Sequence, residues 1–386
     1  VTTSADSLTG SGAVTVGVDA RTVYAPTRRG TGKNLVDLYS IMASRYENWR
    51  FLMFHQLDAR DDPFDAFPNV RHVQVDVRGD RFNLWQDVRL PIAAWTHDVD
   101  VLHCPANTAP YRAIRPTVLT IHDLIPLDTA PGASATRSWY TRVRRSARAA
   151  CRIITPSEYT KQRVVTQLGA PADAVVVNPW APDRKCRRVT DATVLEAVRT
   201  RYQIPTDRYV LAFGAEDPRK NTLRVLRAWT RVPAGVSATL AVIGLQPTAL
   251  GQLQLAVQTD RSLGSAVVLH GFAAEDDIGA LLSGAAALCY PSLSEGFGLP
   301  VVDAFQCGTP VVTSRTTSLP EVAGEAAILV DPTSEDEIAA ALCEVLTSEK
   351  RRETLRAAGF ERVKLFSWDR CAQNTAQALA AAAGRN

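Results

Sequence analysis

The sequence predicts an α/β protein built from two doubly wound, Rossmann-like domains facing a cleft. Three observations predict it. The short apolar runs are continuous and β-branched rather than alternating, as strands buried on both faces of a parallel sheet require. They take turns with longer amphipathic stretches, which is the βαβ pattern. The alternation stops once, at Asn178–Thr190, where NPWAPDRKCRRVT carries two prolines and a charge run, and then restarts. At roughly 150 residues per domain, 386 residues make two domains. The expected division is a flexible start at 1–13, an N-terminal domain at 14–180, a C-terminal domain at 181–365 and a last helix at 366–386.

The elements follow in order. Val14–Val18 reads as a strand ending in Asp19, and Thr31–Ser44 as a helix with Leu35, Leu38, Tyr39 and Met42 on one face. Phe51–Phe54, Val70–Val77, Val99–His103 and Thr117–Ile121 read as strands, Ser134–Cys151 as a helix and Arg152–Thr155 as a strand. Ser157 suits the cap of a helix Glu158–Leu168, and Val175–Val177 is the next strand. In the second half Tyr209–Phe213, Ala238–Ile243, Ala266–Leu269, Ala287–Tyr290, Thr309–Thr313 and Ala327–Val330 read as strands. Asn221–Thr230 and Thr248–Thr259 are helices between them, and Glu335–Leu346, Glu349–Phe366 and Trp368–Ala383 are helices at the end.

Composition narrows the class. Apolar residues make up 46% and charged residues 22%, as in a soluble globular protein. Lys+Arg 43 against Asp+Glu 40 leaves +3, which argues against a dedicated nucleic-acid binder. No apolar run approaches the roughly 18 residues of a membrane span. Val1–Ala13 has no apolar signal-peptide core, so a cytoplasmic protein is expected. Seven cysteines with no CxxC pair fit a reducing compartment without a thiolate zinc site.

Ligands of doubly wound sheets sit at the carboxyl ends of strands, and four segments fall there. Arg29-Gly30-Thr31-Gly32-Lys33-Asn34 precedes a helix, where Gly30 and Gly32 let backbone N–H groups approach a phosphate. A flexible turn is the competing reading, because the third glycine of the dinucleotide fingerprint would fall at Leu35. His122 directly follows a buried strand, so its ring can project into the cleft; a satisfied structural histidine is the alternative. In Phe213–Asn221 a strand ends, Pro218 turns the chain, and Arg219 and Lys220 open a helix. Cations there oppose the macrodipole, so a shared anion such as a diphosphate explains them better than a solvated pair. In Ser294–Asp303 a glycine-bracketed loop leads to Pro300 in a first helical turn. Glu295 in the loop and Asp303 in that first turn flank free N–H groups. This suits hydroxyls at both ends of a ligand and phosphates in its middle, as in a nucleoside diphosphate sugar. Asp303 is equally explained as a favourable acid near a helix start.

Glu295–Asp303, its continuation Ala304–Val312, PRKN at 218–221, HDLIP at 122–126 and Ser318–Glu321 together resemble the retaining glycosyltransferases of the GT-B fold, family 4. The likeness runs from Val14 to Trp368 and is most specific in the C-terminal half. It implies an N-terminal acceptor-binding domain, a C-terminal nucleotide-sugar-binding domain and a last helix that crosses back. It also implies roles. Glu295 binds donor-sugar hydroxyls, Asp303 the ribose, and Lys220, helped by Arg219, the diphosphate. Amides near Phe297, Gly298 and Leu299 touch phosphate or sugar. His122 touches the donor sugar near the reaction centre, Gly30 and Gly32 line the acceptor side of the phosphates, and Phe272 lies by the base. The chain departs from the family at Asp303, where Glu is usual, and at Ala215, where many members carry Arg.

The implied donor is a GDP-, UDP- or dTDP-sugar, with no tightly bound cofactor. The implied acceptor is a saccharide, glycolipid or natural product. No metal is expected: no DxD pair ends a strand, and Asp61-Asp62 and Asp276-Asp277 read as surface turns or helix starts. The resemblance implies retention by front-face displacement, the leaving phosphate taking the acceptor's proton. A nucleotide-sugar epimerase of the same fold and a non-catalytic sugar-nucleotide-binding partner are the alternatives. A dehydrogenase is disfavoured because no GxGxxG follows a strand. One feature lies outside this reading. Arg137, Arg144, Arg148 and Arg152 form a basic stripe, with Trp139, Val143, Ala147 and Ala150 on another face. Either the arginines are merely solvated, or 137–152 touches an anionic membrane peripherally.

Overall fold

The computed structural model describes residues 12–26, 28, 30–56, 62–76, 84–129, 133–233, 235–259 and 267–385. The chain divides into two compact units, Val1–Trp180 with Ser367–Asn386, and Ala181–Phe366. Among the described residues the first unit holds seven strands: β1 (Thr15–Asp19), β2 (Arg50–His55), β3 (Val70–Gln74), β4 (Val101–Cys104), β5 (Thr117–Thr120), β6 (Arg152–Thr155) and β7 (Val175–Val177). Their order is β3-β2-β1-β4-β5-β6-β7, and every pairing is parallel. The second unit holds β8 (Tyr209–Phe213), β9 (Thr239–Ile243), β10 (Val267–Leu269), β11 (Ala287–Tyr290), β12 (Val311–Ser314) and β13 (Ala327–Val330). Their order is β10-β9-β8-β11-β12-β13, again all parallel.

Both sheets are the doubly wound α/β type the apolar runs predict. β4, β5, β9, β11 and β12 are buried along their whole length, because helices cover both faces of a parallel sheet. The edge strand β3 is the contrast: Arg71, His72 and Gln74 are exposed on it, and polar side chains on an edge discourage pairing with another chain. Each sheet reverses its strand order once, between β1 and β4 and between β8 and β11. Loops leaving the two strands at such a point diverge and open a crevice at their carboxyl ends.

The first core gathers Leu52, Phe54, Trp85, Leu102, Leu119 and Val143. The second gathers Val210, Leu226, Val242, Val312, Ile338 and Leu342. The last helix, Trp368–Ala382, belongs to the first unit. The buried Asn178 fastens it, donating from Nδ2 to Cys371 O and Thr375 Oγ1, both at 2.9 Å.

Several local readings change. The helix read as Ser134–Cys151 ends at Ala149, and Arg152 opens β6 instead; the extended backbone of Ala150 makes the break. The helix from Glu158 turns into a π-helical turn at Val164–Leu168 and stops at Gly169, which has a left-handed φ of 72°. Trp85–Thr96 and Ala192–Arg201 are helical although the sequence reading left them unassigned. The first carries apolar residues all round, which hides its period. The readings at 1–11, Arg29, Asp61, Val77 and Ala266 lie outside the described residues.

Gly30 and Gly32 sit inside the first turn of the helix Gly30–Arg45, not in a loop before it. Gly32 is there because the chain after β1 crosses it: a Cβ on Gly32 would stand 2.2 Å from Thr22 O, whereas one on Gly30 would meet nothing within 4 Å. Gly32→Ala is therefore expected to destabilise the protein by about 1–3 kcal/mol or more. Gly30→Ala should change stability by less than about 1 kcal/mol. Urea unfolding of the two variants checks both.

Candidate active site

In the second unit the reversal point lies between β8 and β11, and the loops that leave them are bonded together. After β8 the chain forms the 3₁₀ turn Pro218–Lys220, capped by Asp217, whose Oδ1 accepts from Arg219 N at 3.0 Å. Asn221 follows with φ 63° and separates this turn from the helix Thr222–Trp229. Its Nδ2 donates to Pro291 O at 2.9 Å and Pro332 O at 2.6 Å, so three segments meet on one buried amide. Arg219 and Lys220 thus end a 3₁₀ turn; they do not open the helix, as the sequence reading had it. From the other side Leu293 N donates to Arg219 O at 2.7 Å, and Ser292 Oγ lies 3.0 Å from the same oxygen.

The centre of the site is Glu295, 8% exposed. Its Oε1 receives Arg219 Nη1 at 2.8 Å, Lys220 Nζ at 2.8 Å, the Tyr290 hydroxyl at 2.6 Å and Ser292 Oγ at 2.8 Å. None of these four donors uses Oε2. Burial alone would raise the Glu295 carboxyl, but the Lys220 ammonium and the Arg219 guanidinium hold it below the ordinary carboxylate range. Burial lowers Lys220 more than Glu295 raises it. Arg219 Nε also meets Asp217 Oδ2 at 2.7 Å. The two cations therefore already have anionic partners within the chain, and they form a preset cluster rather than a loose solvated pair.

Past Glu295 the loop is held by Ser318, whose Oγ shares its one proton between Glu295 O and Phe297 O, at 2.9 and 3.0 Å. Gly298 has φ 109°, and a Cβ on it would lie 2.5 Å from Leu319, so glycine is required there. The helix Leu299–Cys307 starts at once, with Pro300 in its first turn and the positive end of its dipole at the loop. The Phe297 ring is turned inward, edge-on to Phe366 at 5.6 Å. Asp303 lies in the second turn of this helix, which has no acid in its first turn; the reading of Asp303 as a first-turn acid is thereby corrected. Its Oδ1 accepts from Asp183 N at 2.8 Å. Burial, aided by the Asp183 carboxylate, pushes Asp303 up to about 7 against the pull of that hydrogen bond. Phe272 stands 75% exposed just after β10.

The first unit has its own crevice at the β1/β4 reversal. A cavity of about 290 Å³ is lined by Asp19, Arg21, Thr22, Tyr24, His55 and Gln56 among others. Asp19, 2% exposed, ends β1 and takes Arg21 in a two-point ion pair, Nε–Oδ1 2.8 Å and Nη2–Oδ2 2.6 Å. His122 follows β5. Its backbone N–H donates to Asn107 Oδ1 at 2.7 Å, and its Nε2–H to Pro105 O at 2.6 Å. The ring stacks on Trp180 at 5.6 Å, and burial lowers its pKa. With Nε2–H donating to Pro105 O, the neutral ring leaves Nδ1 as an acceptor.

The structure brings Arg219, Lys220 and Glu295 into contact and puts Phe297, Gly298, Leu299 and Asp303 on the loop and helix that follow. His122, Gly30 and Gly32 belong to the first unit. The sequence reading missed Tyr290, Ser292, Asn221's clamp and the Asp19–Arg21 pair. Tyr290 and Asp19 each end a buried strand, the one signal that could have marked them.

Two Rossmann-like units with polar clusters at the strand-order reversals define a class of α/β proteins that bind ligands in those crevices. Within it, the family model for glycosyl transferases group 1 matches residues 196–362, and that for glycosyltransferase family 4 matches residues 49–183. O-antigen chain mannosyltransferase B of Escherichia coli is 31% identical over 287 residues, 72% of this chain and 73% of that protein. MMP alpha-(1->4)-mannosyltransferase of Mycolicibacterium hassiacum is 30% identical over 67% of this chain and 64% of its own length. The match to serotype-specific mannosyltransferase WbdA of Escherichia coli, at 28% identity, spans only 33% of that protein. Among solved structures, Anabaena Alr3699/HepE in complex with UDP and glucose superposes with a TM-score of 0.73 at 18% identity, covering 95% of this chain and 99% of that one. WaaG, a glycosyltransferase involved in lipopolysaccharide biosynthesis, gives 0.74 at 15% identity, covering 95% and 99%. The chain belongs to the group 1, family 4 glycosyltransferases and is a glycosyltransferase with the GT-B fold.

Asp303 yields a prediction. Its folded-state value, near 7, stands above the ordinary value near 4. Its contribution to stability is therefore fully present below about pH 4 and is lost as pH rises through about 7. Asp303→Asn keeps an oxygen for Asp183 N but cannot ionise. Urea midpoints measured across that pH window should fall less steeply for the variant than for the native chain.

Proposed function

We propose that this enzyme moves a hexosyl group from a nucleoside diphosphate sugar to a hydroxyl of a saccharide, glycolipid or natural-product acceptor, with retention at the anomeric carbon. The observation that carries this reading is the convergence of Arg219 and Lys220 on Glu295 at the β8/β11 reversal. The names of the relatives favour mannose as the sugar. In the reaction the bond from C1 to the diphosphate oxygen breaks and a bond from C1 to the acceptor oxygen forms. The acceptor's proton passes to the leaving phosphate, and charge grows on the diphosphate.

Arg219 and Lys220 answer that charge by shifting part of their contact from Glu295 to the diphosphate, and amides at Gly298 and Leu299 add to it. Two cations held this close to the leaving group stabilise its growing charge, so a metal is not needed. Glu295 then accepts sugar hydroxyls, with Oε2 turned to that task. Asp303 meets the ribose, and the exposed Phe272 ring stacks on the base. In the first unit His122 takes a donor-sugar hydroxyl on Nδ1, Gly30 and Gly32 lie on the acceptor side, and the cavity beside Asp19 holds the acceptor.

Lys220→Ala should lower kcat/KM on the order of a hundredfold while the protein still folds, as for loss of one charge-stabilising donor. Turnover is measured over GDP-, UDP- and dTDP-sugars, with and without chelator; near-native turnover in the variant would refute the role. NMR of the first-formed product is expected to show the donor's anomeric configuration. Altered sugar released without acceptor would point to an epimerase instead.

A further inference from the structure

Half of the large apolar side chains that stand exposed among the described residues lie in one stretch of the first unit: Leu84, Val88, Ile92, Trp95, Tyr111 and Ile114, at 39–59% exposure. The first four recur at spacings of four, four and three from Leu84 through the helical segment Trp85–Thr96, and each is exposed. The opposite face, with Trp85, Leu90 and Ala94, is in the core. Hydrogen bonds join the neighbouring pieces to this segment. Tyr111 N donates to Asp87 Oδ1 at 2.9 Å, and Arg115 Nη2 to Trp95 O at 3.3 Å. Arg142, from the helix Ser134–Ala149, reaches Gln86 at 2.7 Å and Asp87 at 3.0 Å. The Arg145 guanidinium lies over the Tyr111 ring at 5.0 Å. The outward residues of all three pieces therefore make one continuous surface.

Its charge is predominantly positive. Arg89, Arg112, Arg144, Arg145 and Arg148 are exposed on these pieces, whereas the acids Asp87 and Asp98 are engaged by Arg142 and Arg115. We propose that this surface docks on an anionic phospholipid membrane, with Trp95 and Tyr111 at the headgroup level, Val88 and Ile92 below it, and the arginines on lipid phosphates. An apolar face rimmed by cations, with Trp and Tyr at the boundary, is the pattern of interfacial binding. A second copy of this chain fits the face poorly, because a two-fold contact would bring the arginines of one copy, Arg89, Arg112 and Arg145, against those of the other. The sequence reading of a membrane contact through 137–152 is relocated: of that helix Arg145 borders the surface, Arg152 belongs to β6, and the apolar anchor is on another helix. The inference rests on this surface alone and stands apart from the proposed donor and mechanism.

The test is sedimentation of the full chain with vesicles of phosphatidylcholine, and of phosphatidylcholine with phosphatidylglycerol, at low and high salt. Binding is expected to need phosphatidylglycerol and to fade with salt. Arg112→Glu/Arg145→Glu should weaken it about tenfold or more. Ile92→Asp/Trp95→Asp should abolish it, with far-UV circular dichroism and donor turnover in solution unchanged. Absence of binding to the anionic vesicles at low salt overturns the proposal. So does binding that the Ile92→Asp/Trp95→Asp variant leaves intact. A concentration-dependent dimer in sedimentation velocity that this variant dissolves, without vesicle binding, assigns the face to a second copy and overturns it too.

Discussion

The second unit is organised around one buried carboxylate oxygen. Glu295 Oε1 takes an ammonium, a guanidinium, a phenol and a hydroxyl, and so ties the turn after β8 to the loop after β11. Leaving such a group without its partners costs several kcal/mol, since a buried charge is tolerated only while paired. The loop that bears Glu295 could otherwise sample many shapes. Fastened by Ser318 and followed by a glycine that has no room for a Cβ, it delivers the start of the helix Leu299–Cys307 to one place.

The first unit solves the same problem in a parallel way. Its reversal point also carries a buried acid at a strand end with an arginine in two-point contact, Asp19 with Arg21. Arg21 is further laid over the Trp85 ring at 4.3 Å. In both units the parallel topology dictates where loops part, and an acid–arginine pair fixes the walls of the resulting crevice. The chemistry differs because of what surrounds each pair. Lys220 and a helix start sit beside Glu295, which favours an anion. Beside Asp19 stand the stacked rings of Tyr24 and His55, 4.2 Å apart, which offer an amphipathic wall to a polar, uncharged group.

Much of this was legible in the residues. Continuous β-branched runs do not alternate, so they announce buried parallel strands; the edge strand β3 is the piece with polar residues outward. Arg219, Lys220 and Glu295 were legible because each falls just past such a run. The placement of the cations changes with the structure. They need a shared anion, but the chain supplies it in Glu295, and the helix they were placed on begins after Asn221 takes a left-handed φ. That Gly32 also makes room for Thr22 O was not legible, because the crossing of the two segments is a tertiary contact.

The sequence by itself determined the fold class, the two halves and the strand ends that carry the polar side chains, because those follow from local period and from residue type. Only the tertiary structure decided which of them meet. Strand order is a long-range property: that β8 lies beside β11, and β1 beside β4, is set by packing between segments tens of residues apart. It is this adjacency that joins Glu295 to Lys220, while other long-range packing encloses Asp303 near Asp183, lifting it to about 7, and brings the exposed apolar residues of two separate segments together. Period within a segment carries no information about a neighbour in space, so those contacts are written in the sequence only through the fold that brings them together.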